Sequence, residues 1–483
     1  MPFGLFDLWL YFAAALDLGF ALVASGHAIL FKRDVRATIA WVGLIWLVPF
    51  VGAGLYVWLG INRIQRRARS RRARRPDAKS VSIREPGISP EQAGSFGSEH
   101  ANLLSLVKLV GEVTRKPLLA GNQIEPLIDG DQAFPAMLAA IDAAAQSISL
   151  STYIFDHDQV GERFVAALEQ AVARRVEVRV LIDDMGARYS WPRITRTLRH
   201  TAVTWTTFMP PVIPWRFQHT NLRTHRKILV VDGQVGFTGG LNIREGHCLA
   251  MNPRFPVRDI HFRVRGPVVS QMQDVFTDDW AYCTGEILEG NRWFPDIAPQ
   301  GSALARGLPD GPDEDFESFR MTLFGALASA ESSILIVTPY FLPDAALITA
   351  LNVAAMRGLA VDIVLPQRNN ISLVQWAATA QLWQIVERGC RVWFSPPPFD
   401  HTKLMVVDDL AVFVGSSNWD PRSLRLNFEF NLECYDRNLA CALNELARAK
   451  IGGARQVSLA ELNGRSLPVR MRDGIARLCS PYL

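Results

Sequence analysis

The sequence predicts an α/β protein made of two duplicated halves with mostly parallel sheets, preceded by an N-terminal two-helix transmembrane hairpin. Three observations carry this. A set of His, Lys, Asp, Gly and Asn residues recurs at a constant offset of 176 residues. Strand-like and helix-like runs alternate before each copy. Two long apolar stretches occupy the first 60 residues. The expected order is therefore two transmembrane helices in 1–60, a basic juxtamembrane linker in 61–100, a first half in 101–290, a linker in 291–316 and a second half in 317–483.

The chain has 483 residues, 49% hydrophobic and 20% charged, with a mean hydropathy of +0.09. This supplies core for several domains, argues against a mostly disordered chain, and is high for a soluble enzyme. The formal charge of +4 is too small to indicate a general nucleic-acid-binding surface. Six cysteines occur without a C-x-x-C pair, so reduced thiols are expected rather than a disulfide framework or a zinc site.

Ala37 to Gly60 is 24 residues without a charge, long enough to cross a hydrocarbon layer of about 30 Å. Trp41, Trp46, Tyr56 and Trp58 fit interfacial anchors, and Pro49 would kink the helix. Leu8 to Phe31 is a second apolar stretch, but it carries Asp17 and His27; it is expected to insert as the partner of the other span. Between Ile61 and Arg75 there are eight arginines and no acid, against three basic residues in Lys32–Arg36. The positive-inside rule then holds both termini, and everything after the run, in the cytoplasm. The run is also suited to anionic lipid headgroups. The Arg-, Ser-, Pro- and Gly-rich stretch that follows reads as linker.

The repeat is the most specific signal. Thr224–Asn242 reads THRKILVVDGQVGFTGGLN, and the chain from His401 reads HTKLMVVDDLAVFVGSSN. His225, Lys227, Asp232, Gly239 and Asn242 match His401, Lys403, Asp408, Gly415 and Asn418. For a given His, four specified partners at fixed offsets have odds on the order of 1 in 10⁵. Upstream, Ser147–Phe155 and Ser333–Phe341 are β-like, each followed by a helix-like segment and a β-branched run at Val176–Ile182 or Val361–Leu365. Two such halves are expected to pack with their motifs facing each other.

In an extended chain His225 and Lys227 share one face, as do His401 and Lys403, while Ile228, Val230, Met405 and Val407 can serve the core. Gly240–Asn242 and Ser416–Asn418 would lie alongside, their small residues admitting an anion to the backbone. Two imidazoles and two ammoniums around one pocket suit phosphoryl transfer on a diester. Lys227, Lys403, Asn242 and Asn418, with Gly240 and Ser416, would bind the phosphate. One His attacks phosphorus to give a phospho-histidine; the other protonates the leaving alcohol and deprotonates the incoming one. Asp259 and Glu429 are candidates to orient the imidazoles, with the pairing open. Asp232 and Asp408 belong to the catalytic motif, although their place near strand ends fits a turn or salt bridge better than direct chemistry. No metal or cofactor is required. Asp183-Asp184 reads as a solvated strand end, and His157, His200, His219, His247 and His261 read as structural.

These motifs resemble the paired HKD motifs of the phospholipase D superfamily, and more closely those of bacterial cardiolipin synthases. YIFDHDQVG before the first motif, VRDIHFRVRGP after it, TPYFLPD before the second, DPRSLRLNFE after it, and a terminal Arg-Leu-x-Ser-Pro extend the likeness over essentially the whole chain. That family, too, begins with two membrane spans. The resemblance implies phosphatidyl transfer from one phosphatidylglycerol to the glycerol hydroxyl of another, giving cardiolipin and glycerol. It implies His225 as nucleophile and His401 as acid/base, although the halves are chemically alike and the roles could be exchanged. Its partners would be phosphatidylglycerol, other membrane phospholipids and the bilayer, with no nucleic acid. Its place would be the inner (cytoplasmic) membrane, multi-pass, with the catalytic part on the cytoplasmic side. The DG-x2-AR type motif of the other, cytidine-dependent cardiolipin synthase chemistry is absent.

The aromatic, Pro-rich run Trp205–Phe217 ends eight residues before His225 and is expected to form either a membrane-dipping lip, through Phe208 and Trp215, or a buried loop. Rival readings are another phosphodiesterase, such as a nuclease, a lipid hydrolase in which water replaces the acceptor, and a non-catalytic scaffold.

Overall fold

A computed structural model describes residues 5–32, 35–60, 96, 101–208, 222–312, 315 and 317–480. Apart from Phe96, the basic linker expected over 61–100 lies outside them, as do Trp215 and His219.

Separate from the unit that holds residues 101–208 and those from Leu222 on, the described residues up to Gly60 fall in a compact unit of their own. Its first helix, Leu5–Phe31, contains one segment, Trp9–Phe31, that is long and apolar enough to cross a membrane. The second stretch is not one continuous helix. It runs as Val35–Leu47, breaks over 48–50, and resumes as Val51–Leu55 and a π-helical turn at Tyr56–Gly60. Pro49 explains the break: it cannot continue the hydrogen-bond ladder. Phe50 takes φ 55° there, and its freed N–H donates to Asp17 Oδ1 at 2.6 Å. The polar residues of the first stretch are thus matched to the second. Trp46 Nε1 donates to Ser25 Oγ (3.0 Å) and Tyr56 hydroxyl meets His27 Nδ1 (2.8 Å). Tyr56 is buried in this contact rather than placed as an interfacial anchor.

The remaining described residues are α/β and carry a sheet of 15 strands beside a two-stranded one. The sheet is mixed, which corrects the expectation of mostly parallel sheets. Parallel pairing occurs toward its two ends. Ser147–Thr152, Glu177–Asp183 and Thr204–Phe208 lie at one, and Ser333–Val337, Ala360–Pro366 and Arg391–Ser395 at the other. The strands between are antiparallel because the motif strands are hairpins. Ile228–Val231 turns into Val235–Gly239, and Leu404–Val407 into Ala411–Gly415, through three residues each. Three residues cannot make a parallel crossover. Asp232 and Gly233 (φ 52° and 63°) and Asp408 and Asp409 (φ 50° and 52°) make the turns.

Motif strands are apolar on both faces because both faces are covered. Ile228 and Val230 pack with Phe262 and Met272, whereas Leu229 and Val231 pack with Phe164 and Val180 on the other side. The stretch expected as linker, 291–316, contains a buried strand, Ala303–Asp310, in the middle of the sheet between Leu119–Ile128 and Glu429–Tyr435. Arg306 concealed it in the sequence. Its buried guanidinium is met by Glu433 at 2.7 Å and by the Val107 carbonyl at 2.9 Å.

Candidate active site

Each motif histidine sits on a short extended segment just before its hairpin, and each segment is docked on chain from the other part of the sequence. The His225 N–H donates to the Phe428 carbonyl (2.8 Å), and Phe428 N–H donates back to the Arg223 carbonyl (2.8 Å). The His401 N–H donates to the Arg258 carbonyl (2.7 Å), where Phe399–Asp400 pairs with Val257–Arg258. Phe428 precedes Glu429, and Arg258 precedes Asp259. The backbone docking therefore delivers each carboxylate to the distant histidine. His225 Nδ1 lies 2.9 Å from Glu429 Oε2, and His401 Nδ1 lies 2.9 Å from Asp259 Oδ2. Both carboxylates named from the sequence meet a histidine, and their pairing is crossed.

A ring whose Nδ1–H is donated to a carboxylate presents Nε2 as its free lone pair. Burial pushes His225 down to about 4, with Lys227 and Lys403 adding to this against Glu429. His401 is held well below its ordinary value by burial, both lysines and His225. Burial raises Glu429, but His225, Lys227 and the Ser416 hydroxyl outweigh it and leave the carboxyl below its usual value. Burial lifts Asp259 to about 6 despite Lys403 and His247.

The lysines project beside their histidines, as the two-residue period requires. Lys227 Nζ donates to the His225 carbonyl at 2.7 Å, and Lys403 Nζ to the His401 carbonyl. Burial lowers them to about 7 and about 8, respectively. Tyr153 stacks edge-on to His225 (5.1 Å between centroids) and lies under Lys227 Nζ (5.5 Å). Tyr340 stands in the same relation to His401 (6.1 Å).

Asp232 and Asp408 do not face this centre, and the catalytic role assigned to them gives way to a structural one. Asp232 accepts the N–H groups of Ala145, Gln146 and Ser147 at 2.7–2.9 Å. Asp408 accepts those of Glu331, Ser332 and Ser333 at 2.8–3.0 Å, plus the Ser332 hydroxyl and the Asn102 amide. Each ties its hairpin turn to the start of the neighbouring strand.

Gly240 and Ser416 also take a different place from the expected phosphate contact. A Cβ on Gly240 would sit 2.3 Å from Asp259 Oδ2. Ser416 Oγ donates to Glu429 Oε2 at 2.5 Å. The small residues at this repeat position make room for the orienting carboxylate.

His225 and His401 line one cavity of about 1030 Å³, together with Asn242 and Asn418. Asn242 Oδ1 accepts the Ile154 N–H (3.2 Å), and Asn418 Nδ2 reaches Ser423 Oγ (3.2 Å). Sequence reasoning missed several residues here. His247 lines the cavity, its ring 6.5 Å from His401, and its Nε2 accepts the Asn242 N–H at 3.4 Å. The signal lay in the repeat, because His247 and Ser423 each stand five residues past the motif Asn. Arg223, Arg244 and Arg422 also line the cavity. Asp183 is buried, not a solvated strand end. It accepts N–H groups from Met185, Gly186 and Thr224, bracing the residue before His225. Among the described residues no group of three or more His, Cys, Asp or Glu is arranged to hold a metal. Of the run read as a lip or a buried loop, residues from 209 on lie outside the described residues, and Phe208 does not face solvent. Phe208 is buried against Tyr282 and Phe428, at 5.8 and 5.2 Å between ring centroids.

Comparison with known proteins follows the same lines. A family model described as cardiolipin synthase, phospholipase D-like domain, matches residues 137–280 and 323–449. The chain is 31% identical over 458 residues to a cardiolipin synthase of Geobacillus kaustophilus, covering 94% of this chain and 90% of that one. It is 30% identical to the major cardiolipin synthase ClsA of Bacillus subtilis (94% and 95% covered) and 31% identical to cardiolipin synthase A of Pseudomonas fluorescens SBW25 (98% of each). Its fold is similar to that of a phosphatidylserine synthase of Haemophilus influenzae, with a TM-score of 0.62 and 15% identity over 78% of this chain and 100% of that one. With the family model covering more than half of its length and relatives matching nearly all of it, the chain belongs to the cardiolipin synthase family of phospholipase D-like proteins.

Proposed function

We propose that the chain synthesises cardiolipin from two phosphatidylglycerols through a phospho-histidine. The observation that carries this is the crossed pair of imidazoles, each held at Nδ1 by a carboxylate and both opening on one cavity. His225 Nε2 attacks the donor phosphorus. An N–P bond forms, the P–O bond to glycerol breaks, and protonated His401 gives its proton to the departing oxygen. The glycerol hydroxyl of the second phosphatidylglycerol then loses its proton to His401. Its oxygen bonds to phosphorus, and the N–P bond breaks. Glu429 stays ionised beside His225, which favours this ring as the nucleophile. Lys227, Lys403, Asn242 and Asn418 neutralise and orient the nonbridging oxygens. Burial is the main cause that holds His401 low, and the incoming phosphodiester anion offsets the lysine charges that add to it, which shifts this ring toward its protonated form.

The same reading places the two N-terminal apolar stretches as a membrane hairpin. Asp17, Ser25 and His27 are satisfied across it, and the arginine run keeps the catalytic part on the cytoplasmic side of the inner membrane. It also treats 101–290 and 317–483 as products of one duplication.

The test gives purified protein phosphatidylglycerol in detergent with a chelator present and follows products by mass spectrometry. Cardiolipin with equimolar glycerol is expected, with His225→Ala and His401→Ala each abolishing it. Phosphatidic acid as the sole product would establish a hydrolase instead.

A further inference from the structure

The last helix, Leu467–Leu478, presents an apolar stripe to solvent. Leu467, Met471, Ile475 and Leu478 are 58–78% exposed and recur at spacings of four, four and three, which is one face of a helix. The opposite face is anchored: Asp473 is buried and receives Arg465 and Arg472, and Arg472 lies 4.4 Å over the Trp376 ring. Arg470 and Arg477 flank the stripe, and neither carries an ion pair among the described residues.

This helix stands directly behind the cavity wall. Ala476 packs in one cluster with Val374 and, at its edge, Tyr340, both of which line the cavity. The neighbouring helix, Ser372–Thr379, begins just after Ile371. Ile371 (46% exposed) and Phe255 (70%) belong to the cavity lining and also face solvent. Exposed apolar residues thus stand both at the cavity mouth and on an amphipathic helix edged with arginines, and the buried face of that helix joins it to the cavity wall.

We infer that the stripe of Leu467–Leu478 and the rim at Phe255 and Ile371 form a docking face for an anionic lipid bilayer, holding the cavity mouth against the headgroup layer. The occupant follows from the chemistry: a stripe flanked by guanidinium groups matches acyl chains beneath phosphate headgroups. Exposed apolar residues at the mouth itself match a substrate that must leave a membrane to reach His225. The inference rests on a lipid substrate, as proposed above.

The full chain reconstituted in phosphatidylglycerol-containing vesicles tests it in two ways. With phosphatidylglycerol bearing a photoactivatable acyl chain, adducts are expected on Leu467–Leu478 and around Phe255 and Ile371. Adducts absent from all of these overturn the inference. In the variant Met471→Ser/Ile475→Ser, the ratio of turnover on bilayer phosphatidylglycerol to turnover on a short-chain form kept below its micelle threshold should fall about 10-fold or more. The ratio is insensitive to how much variant is folded, and a ratio within about 2-fold of the parent overturns the inference. A parent chain that makes no cardiolipin from either substrate form sinks the functional reading, while the adduct pattern still decides the docking face.

Discussion

Replacing Lys227 by methionine should abolish turnover and at the same time make the protein more stable. Lys227 is 2% exposed, and the pKa of its ammonium falls from 10.5 to about 7, with burial as the largest cause. The folded-state value is below the unfolded one, so the unfolded chain holds the proton more tightly. Stability linked to this group is complete only above pH 10.5 and is lost as pH falls toward 7. At roughly 1.4 kcal/mol per pK unit the loss at pH 7 is on the order of 4 kcal/mol. At pH 9 it shrinks to on the order of 2 kcal/mol. Methionine keeps most of the volume and removes the charge, but Glu429 then loses a neighbouring cation, so part of the gain is returned. A net gain of about 1–4 kcal/mol, or roughly 2–8 °C in Tm, is expected at pH 7, and a smaller one at pH 9. Thermal unfolding of the detergent-solubilised chain, followed by tryptophan fluorescence at both pH values, measures it. A variant less stable than the parent at pH 7, or a gain that grows with pH, would refute the argument that desolvated charge dominates this site.

Other consequences follow from the same geometry. Since Lys227 and Lys403 lose their protons near 7 and 8, kcat/KM should decline on the alkaline side across that range. It should also decline below about 6 as Asp259 is protonated and stops accepting from His401; a profile still rising at pH 9 contradicts this. Glu429→Gln and Asp259→Asn should each lower kcat by roughly 10²–10⁴-fold with little change in KM, measured by steady-state cardiolipin formation. Asp408→Ala should cost roughly 1–3 kcal/mol by removing the acceptor of three part-buried N–H groups, yet leave turnover per folded molecule nearly intact, as denaturant unfolding with phospho-enzyme titration would report. Phe208→Ala should cost about 3–5 kcal/mol in the same unfolding assay, as a buried aromatic would, rather than weaken attachment to vesicles.

What was legible in the sequence was what a fixed offset can encode. The histidines, the lysines and the hairpin strands after them recur at that offset, and the structure opens both histidines on one cavity; the two carboxylates stand 170 residues apart and meet the histidines from behind. Sheet polarity was not legible, since apolar runs flanked by helices look alike whether their neighbours run parallel or antiparallel. The three-residue connections at Asp232–Gln234 and Asp408–Leu410 were the clue against parallel pairing. The role of the motif aspartates was half legible, because their place in a turn was expected but the N–H groups they accept come from segments some 75–87 residues distant in the chain. Ala303–Asp310 was hidden because its Gly, Pro and Arg suit a linker until Glu433 is seen to neutralise Arg306.

The crossing of the carboxylates was beyond reach of any local pattern, and it bears most directly on mechanism. Glu429 is 204 residues from the histidine it orients and Asp259 is 142 from its own. Each pairing is fixed by two extended segments that meet, Thr224 beside Phe428 and Phe399–Asp400 beside Val257–Arg258. A motif with its own surrounding chain would hold an imidazole without its carboxylate, so its Nδ1–H would have no fixed acceptor and the lone pair at Nε2 no fixed direction. The constellation therefore requires both motifs to be folded against each other before either histidine is competent. That requirement also explains the central, fully buried seam of Ala303–Asp310 against Glu429–Tyr435. Rigid pairing there fixes the strand that begins with Glu429, and an error of even one residue in register would withdraw the carboxylate from His225.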